Sequence, residues 1–297
     1  MSDLGPELVK GHGTGNDFVL LPDLDGSLDL SPDLVAAVYD RRTGLGADGV
    51  LRVVPSALAP EATAMAGDAH WFMDYRNADG SLAEMCGNGL RVFARFLVRR
   101  GLVEPGRFAV ATRAGVHAVE AYDTGDVVVD MGPARLVPSA DLRVTVDGGA
   151  SWPAQGVDVG NPHAVVWLDE LAAAGPLREP PAVAPASAFP HGVNVEFAVR
   201  VGERHLAMRV HERGVGETQS CGTGAAAVFA AALGETVGGS PAWVVDVPGG
   251  RLRLRRRDDG GVELAGPAVL VAEGVLEADW VDGVAGVAGP GAGTAGA

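Results

Sequence analysis

Two cysteines and the residues around them hold most of the chemistry this sequence can offer. Cys221 lies in HERGVGETQSCGTGAAAVFA, residues 211–230, where the charged triplet His211-Glu212-Arg213 leads through a glycine-broken turn to the thiol. Gly222, Thr223 and Gly224 follow, and then a run apolar enough to be a buried helix. A thiol at a helix N-terminus has its anion favoured by the positive end of the helix dipole, so its pKa is expected to fall. Taken alone, the stretch fits a helix cap beside an inert cysteine equally well, because buried cysteines mostly behave as small hydrophobes.

The other cysteine repeats the pattern. Cys86-Gly87-Asn88-Gly89 matches Cys221-Gly222-Thr223-Gly224 at an offset of 135 positions, and each runs into an apolar helix with a Phe in its first turns, Phe93 or Phe229. Nine residues before each cysteine stands a polar residue where a strand meets a turn, Asn77 in one case and Glu212 in the other. Gly15-Asn16 ahead of the apolar strand 18–21 parallels Gly160-Asn161 ahead of 164–168 at an offset of 145, the difference being one of loop length. Such a duplication predicts two similar lobes related by a pseudo-two-fold axis, with equivalent loops facing across a cleft. The thiols would then approach one substrate from opposite sides. One thiolate can remove a proton from a stereocentre while the other thiol delivers one to the opposite face. The enolate-like charge needs donors, and Gly-x-Gly backbone at two helix N-termini can supply them. The amides of Gly87, Asn88, Gly222 and Thr223 are the candidates.

Composition narrows the alternatives. A net charge of −15 argues against a nucleic-acid partner, which needs a basic surface. The N-terminus has no apolar signal core and no run approaches a membrane span, so a cytoplasmic protein with no membrane partner is expected. Two cysteines make neither a disulfide framework nor a CxxC metal pair. The single lysine, Lys10, has no phosphate cup around it, which disfavours Schiff-base chemistry with pyridoxal phosphate. No cofactor and no metal are expected. GLGADG at 44–49 matches the dinucleotide fingerprint formally, but it leads into a strand where the fingerprint should open a helix.

The elements that position these residues follow from pattern. Ser31 and Pro32 cap a short helix over 33–40. Residues 11–17 read as a turn, 57–69 as a surface excursion and 171–191 as a Pro/Ala-rich connection. In the helix after Cys86, Leu90, Phe93, Ala94 and Leu97 make an apolar face, while Arg91, Arg95 and Arg99 make a stripe expected to face solvent or a partner. Strands dominate residues 108–131 and, after Gly132-Pro133, the second half. Lobes over 1–131 and 132–267 follow, with a Gly/Ala-rich tail, 279–297, expected to be disordered.

The segments GHGTGNDFVLL, NADGSLAEMCGNGLR, GNPHAV, VNVEF and HERGVGETQSCGTGA resemble the diaminopimelate epimerase family, in order and across nearly the whole chain. The resemblance implies an α/β (α+β) fold of two pseudo-symmetric lobes, each a curled, mostly antiparallel sheet around a central helix, with a last strand over 268–278 returning to the first lobe. It implies interconversion of LL- and meso-2,6-diaminopimelate without cofactor, for lysine and peptidoglycan precursors, by a small-molecule enzyme that is a homodimer. Cys86 and Cys221 become the acid/base pair. Asn16, Asn77, Asn161, Asn194, Glu212 and Arg213 hold the substrate, chiefly its distal amino-acid head, and His163 with Glu212 tunes the thiols. One departure stands out: many members carry a Gln after the Asp of R-x-x-G-x-G-x-D-Q, and here that position is Gly49. The alternatives are a proline or hydroxyproline type racemase, whose small ring substrate has no distal head for Glu212-Arg213, and a redox-switch protein in which facing thiols form a disulfide.

Overall fold

A computed structural model describes residues 4–77, 79–138, 141–234 and 238–287. The first half opens with β1 (Leu4–Gly13) and β2 (Asn16–Pro22), a hairpin turning at Thr14-Gly15, both at positive φ. Gly11 and His12, expected in a turn, continue β1, because their backbone is paired on both sides. Ser31 Oγ accepts from the Leu34 amide at 3.2 Å to start α1 (Pro32–Tyr39), as its sequence indicates. Next come β3 (Gly49–Pro55), β4 (Trp71–Arg76), α2 (Gly87–Arg99), β5 (Gly106–Thr112), β6 (Gly115–Ala121) and β7 (Val127–Pro133).

The second half contains β8 (Arg135–Val137), β9 (Arg143–Thr145), β10 (Ser151–Asp158) and β11 (Pro162–Trp167). The connection after β11 holds two 3-10 turns and the short β12 (Ala182–Ala184). β13 (Asn194–Gly202), β14 (His205–Glu212), β15 (Gly216–Thr218), α3 (Gly222–Leu233), β16 (Trp243–Val247), β17 (Gly250–Arg256) and β18 (Gly261–Gly266) complete it.

The duplication read from the cysteines is a duplication of topology. β2 runs parallel to β3, β3 antiparallel to β4, β4 parallel to β5, and β5 to β7 form a meander. β11, β13, β14, β16, β17 and β18 repeat those senses strand for strand. β7 and β18, equivalent strands, pair antiparallel with each other and join the halves into one mostly antiparallel sheet. α2 packs inside the curl of the first set and α3 inside the curl of the second. The glycine turn at 249–250 seals the halves, since a Cβ on Gly249 would overlap the Thr14 carbonyl at 1.8 Å.

Three expectations are corrected. Arg91 and Arg95 do not face solvent: they are 0% and 4% exposed, because sheet surrounds the helix. Arg91 donates to Thr14 Oγ1 and Asn88 Oδ1, and Arg95 to the carbonyls of Tyr122 and Gly125, bonds that a buried guanidinium requires. The tail is ordered at its start. β19 (Val269–Glu277) pairs with β1 and runs into α4 (Ala278–Val287), where Trp280, Val281 and Val284 pack on the cluster containing Leu34 and Val38. These apolar contacts at helical spacing were hidden by the surrounding Gly and Ala, and residues 288–297 lie outside the described residues. Finally, Ala59, Ala62 and Ala69 of the 57–69 excursion are buried over Phe72, giving that sheet face its own cover. Among the described residues no helix is long and apolar enough to cross a membrane.

Candidate active site

The two thiols sit in matching backbone. Cys86 is the N-cap of α2, its sulfur accepting from the Gly89 amide at 3.5 Å. Cys221 is the N-cap of α3, accepting from the Gly224 amide at 3.4 Å. Both have extended φ and ψ, near −130° and 117°. The helix mouths meet closely: a Cβ on Gly222 would be in van der Waals contact with the Cα of Gly87 at 3.5 Å. The two N-termini therefore converge, and their dipoles add in one place.

That place is a cavity of about 590 Å³. Cys86, Gly87 and Asn88 line it from one side and Cys221, Gly222 and Thr223 from the other. Asn16, Asn77, Asn161, Glu212 and Arg213 also line it, so eleven residues singled out from the sequence share one cleft. Asn88 is committed to the junction, donating to the Ser220 carbonyl at 2.8 Å and to Asn16 Oδ1 at 3.1 Å. Arg213 is exposed, its guanidinium donating to the His191 carbonyl at 2.9 Å. Two expected residues stand behind the wall. Asn194 is buried, accepting from the Arg213 amide at 2.9 Å and donating to the Pro162 carbonyl, so it fixes the backbone of the Glu212-Arg213 pair. His163 is fully buried, with Nδ1 2.6 Å from Glu196 Oε1 and Nε2 2.9 Å from Asn161 Oδ1.

Glu196 was missed by sequence reading, although it stands within VNVEF. It is 0% exposed, its second carboxylate oxygen has no partner among the described residues, and a Cβ on Gly224 would meet its Oε1 at 2.8 Å. The available signal was an acid at an inward position of an otherwise apolar strand. Asp48 was also missed. Its carboxylate accepts from Asn16 Nδ2 at 2.9 Å and orients that amide at the cavity rim.

The electrostatics reverse one expectation. Removal from water pushes the Cys86 thiol up to about 11, against the pull of the Gly89 amide and with the Glu212 charge adding to the rise. Burial pushes Cys221 well above an ordinary thiol, with Glu212 and Glu196 adding to it, against the Thr223 hydroxyl and Gly224 amide. Desolvation outweighs the helix N-terminus in both cases. Burial also raises the Glu212 carboxyl, which hydrogen-bonds Thr218 and Cys221. The cleft thus holds two protonated thiols and a basic carboxylate beside one of them, a set suited to moving protons.

The fold has solved counterparts. A phenazine biosynthesis protein from Bacillus anthracis aligns over 93% of this chain and 99% of its own with a TM-score of 0.68 at 16% identity. A hydroxyproline epimerase from Agrobacterium vitis aligns over 92% and 93% with a TM-score of 0.63 at 14% identity. These define the class of fold: a duplicated sheet-around-helix architecture with a cleft between the halves. Sequence identifies the family within it. The diaminopimelate epimerase family model matches residues 8–137 and 156–271. The diaminopimelate epimerase of Streptomyces coelicolor is 57% identical over 93% of this chain and 97% of that protein, and one from Corynebacterium glutamicum is 45% identical over 91% and 97%. The chain belongs to the diaminopimelate epimerase family.

Proposed function

We propose that this cleft interconverts LL- and meso-2,6-diaminopimelate by a two-base mechanism, with Cys86 and Cys221 on opposite faces of the reacting α-carbon. After one thiol has passed its proton to solvent, that thiolate takes the α-proton and the thiol on the other side gives its proton to the opposite face. The ionised thiol is then the one placed for the reverse reaction, and proton exchange with solvent restores the starting state before the next turnover in the same direction. The carboxylate on that carbon binds at the converging helix mouths, where the amides of Gly87, Asn88, Gly222 and Thr223 meet the charge that develops on it. Asn16, Asn77, Asn161, Glu212 and Arg213 hold the remainder of the substrate, an ammonium and carboxylate answered by a carboxylate and a guanidinium. His163 acts from behind Asn161, and Asn194 from behind Arg213. The single observation that carries the reading is the pair of cysteine-capped helix N-termini meeting in one cavity.

The reading extends to the cytoplasm as location and to a homodimer, as the family resemblance implies. It divides the chain into lobes over 1–131 with the returning strand and 132–267. Incubation of reduced protein with LL-diaminopimelate in D2O tests the function: deuterium enters the α-carbon as meso product forms. Absence of exchange sinks the proposal. Sedimentation showing only monomer at assay concentration removes the dimer.

A further inference from the structure

Tyr75 lies two residues before Asn77 on β4, and no part of the mechanism above uses it. Its ring stands edge-on to Phe18, centroids 6.2 Å apart at 76°, and occupies the space beside Gly49. A Cβ built on Gly49 would fall 2.5 Å from Tyr75 Cε2 and 3.3 Å from the Phe18 ring, so the tyrosine and any side chain at 49 exclude each other as placed. Tyr75 lines the cavity, as do Asn16, Asp48, Cys86 and Glu212. Its hydroxyl makes no hydrogen bond with any described residue. Burial, reinforced by Cys86, Glu212 and Asp48, holds the phenol well above its usual range, so it stays protonated and offers an O–H.

A neutral donor with no partner among the described residues, on the wall of an open cleft, selects its ligand by chemistry. It has an O–H to give, which suits a carboxylate; an ammonium is already answered by Glu212 in the proposed arrangement. We infer that Tyr75 is a further substrate-contacting residue, whose hydroxyl donates a hydrogen bond to a substrate carboxylate from the space that residue 49 leaves empty. The inference rests on the proposed function and explains the Gly at 49: the tyrosine takes over the wall that a longer side chain there would provide.

Steady-state kinetics on LL-diaminopimelate test it, beginning with the parent enzyme. An inert parent defeats the reading of function, and this inference with it; an active parent isolates the inference. Y75F keeps the ring and its packing, so its melting temperature stays that of the parent. Its KM rises about tenfold with kcat within threefold, the size expected for one hydrogen bond to a charged acceptor. Gly49→Ala, which drives the ring from its place, raises KM by at least as much. In a Tyr75→Ala background, Gly49→Gln becomes tolerated and lowers KM relative to Tyr75→Ala alone. An unchanged KM in Y75F, a change confined to kcat, or a Gly49→Ala enzyme equal to the parent each overturns the inference.

Discussion

The two helix mouths share a backbone and differ in what lies beneath it. Under Gly89 in the first half are the Phe18 ring and Leu51, the nearest atoms 3.4 and 3.5 Å from a Cβ built there. Under Gly224, the equivalent glycine, is the Glu196 carboxylate, bonded to His163. Counting from Asn16 and Asn161, His163 occupies the place of Phe18. The ladders agree, since Phe18 pairs with Gly49 two residues before Leu51, and His163 with Asn194 two residues before Glu196. Duplication kept the cap that holds each sulfur and exchanged an apolar underlayer for an ionisable one on one side. Two thiols in the same local geometry are therefore unequal in charge environment. A second inequality runs the other way along the helices. Arg91 of α2 stands where α3 has Ala226, and both are fully buried.

Each inequality can be broken. The largest effect is on the feature the halves share. Cys86→Ala and Cys221→Ala each lower conversion of LL to meso substrate by more than about a thousandfold, because neither face has a spare acid. Turnover within tenfold of the parent in either variant would break the two-sided site. Next is Arg91, which ties Thr14, Asn88 and the Pro267 carbonyl together. Arg91→Ala costs about 3–5 kcal/mol in urea unfolding, as expected when partners of a buried charge are stranded. A loss under 1 kcal/mol would mean that the network contributes nothing net.

Smaller effects sharpen the contrast between the thiols. Both are raised, so alkylation by iodoacetamide accelerates as pH rises from 7 towards 10, as more of each thiol becomes thiolate. Cys86, partly exposed, reacts at least about tenfold faster than buried Cys221 at pH 8.5, read by peptide mass spectrometry. Equal rates would remove the asymmetry. Glu196→Gln deletes a charge that raises Cys221, so that thiol titrates lower and is alkylated a few-fold faster at fixed pH, while Cys86 is unaffected. A parallel change at Cys86 would show that Glu196 acts through the fold as a whole.

Much of the site was legible because its signals are local. A cysteine followed by Gly-x-Gly and an apolar run specifies an N-cap and a buried helix from a dozen residues, and the repeat specifies a partner for it. Glu196, Tyr75 and the true surroundings of Arg91 were not legible in that way. Each depends on which element lies across from it, and periodicity reports the faces of one element without saying what covers them. β1 and α4 were misread for the same reason, since a glycine-rich edge and a Gly/Ala tail become ordered only through neighbours distant in sequence.

The sequence by itself determined the duplication, the pairing of Cys86 with Cys221, the capped helices and the family, all carried by short-range spacing and residue type. Only the tertiary structure decided the state of the thiols. Helix dipoles belong to the local sequence and favour the thiolate. Desolvation depends on everything that packs around the sulfur, and at both cysteines it outweighs the dipole and keeps the proton on.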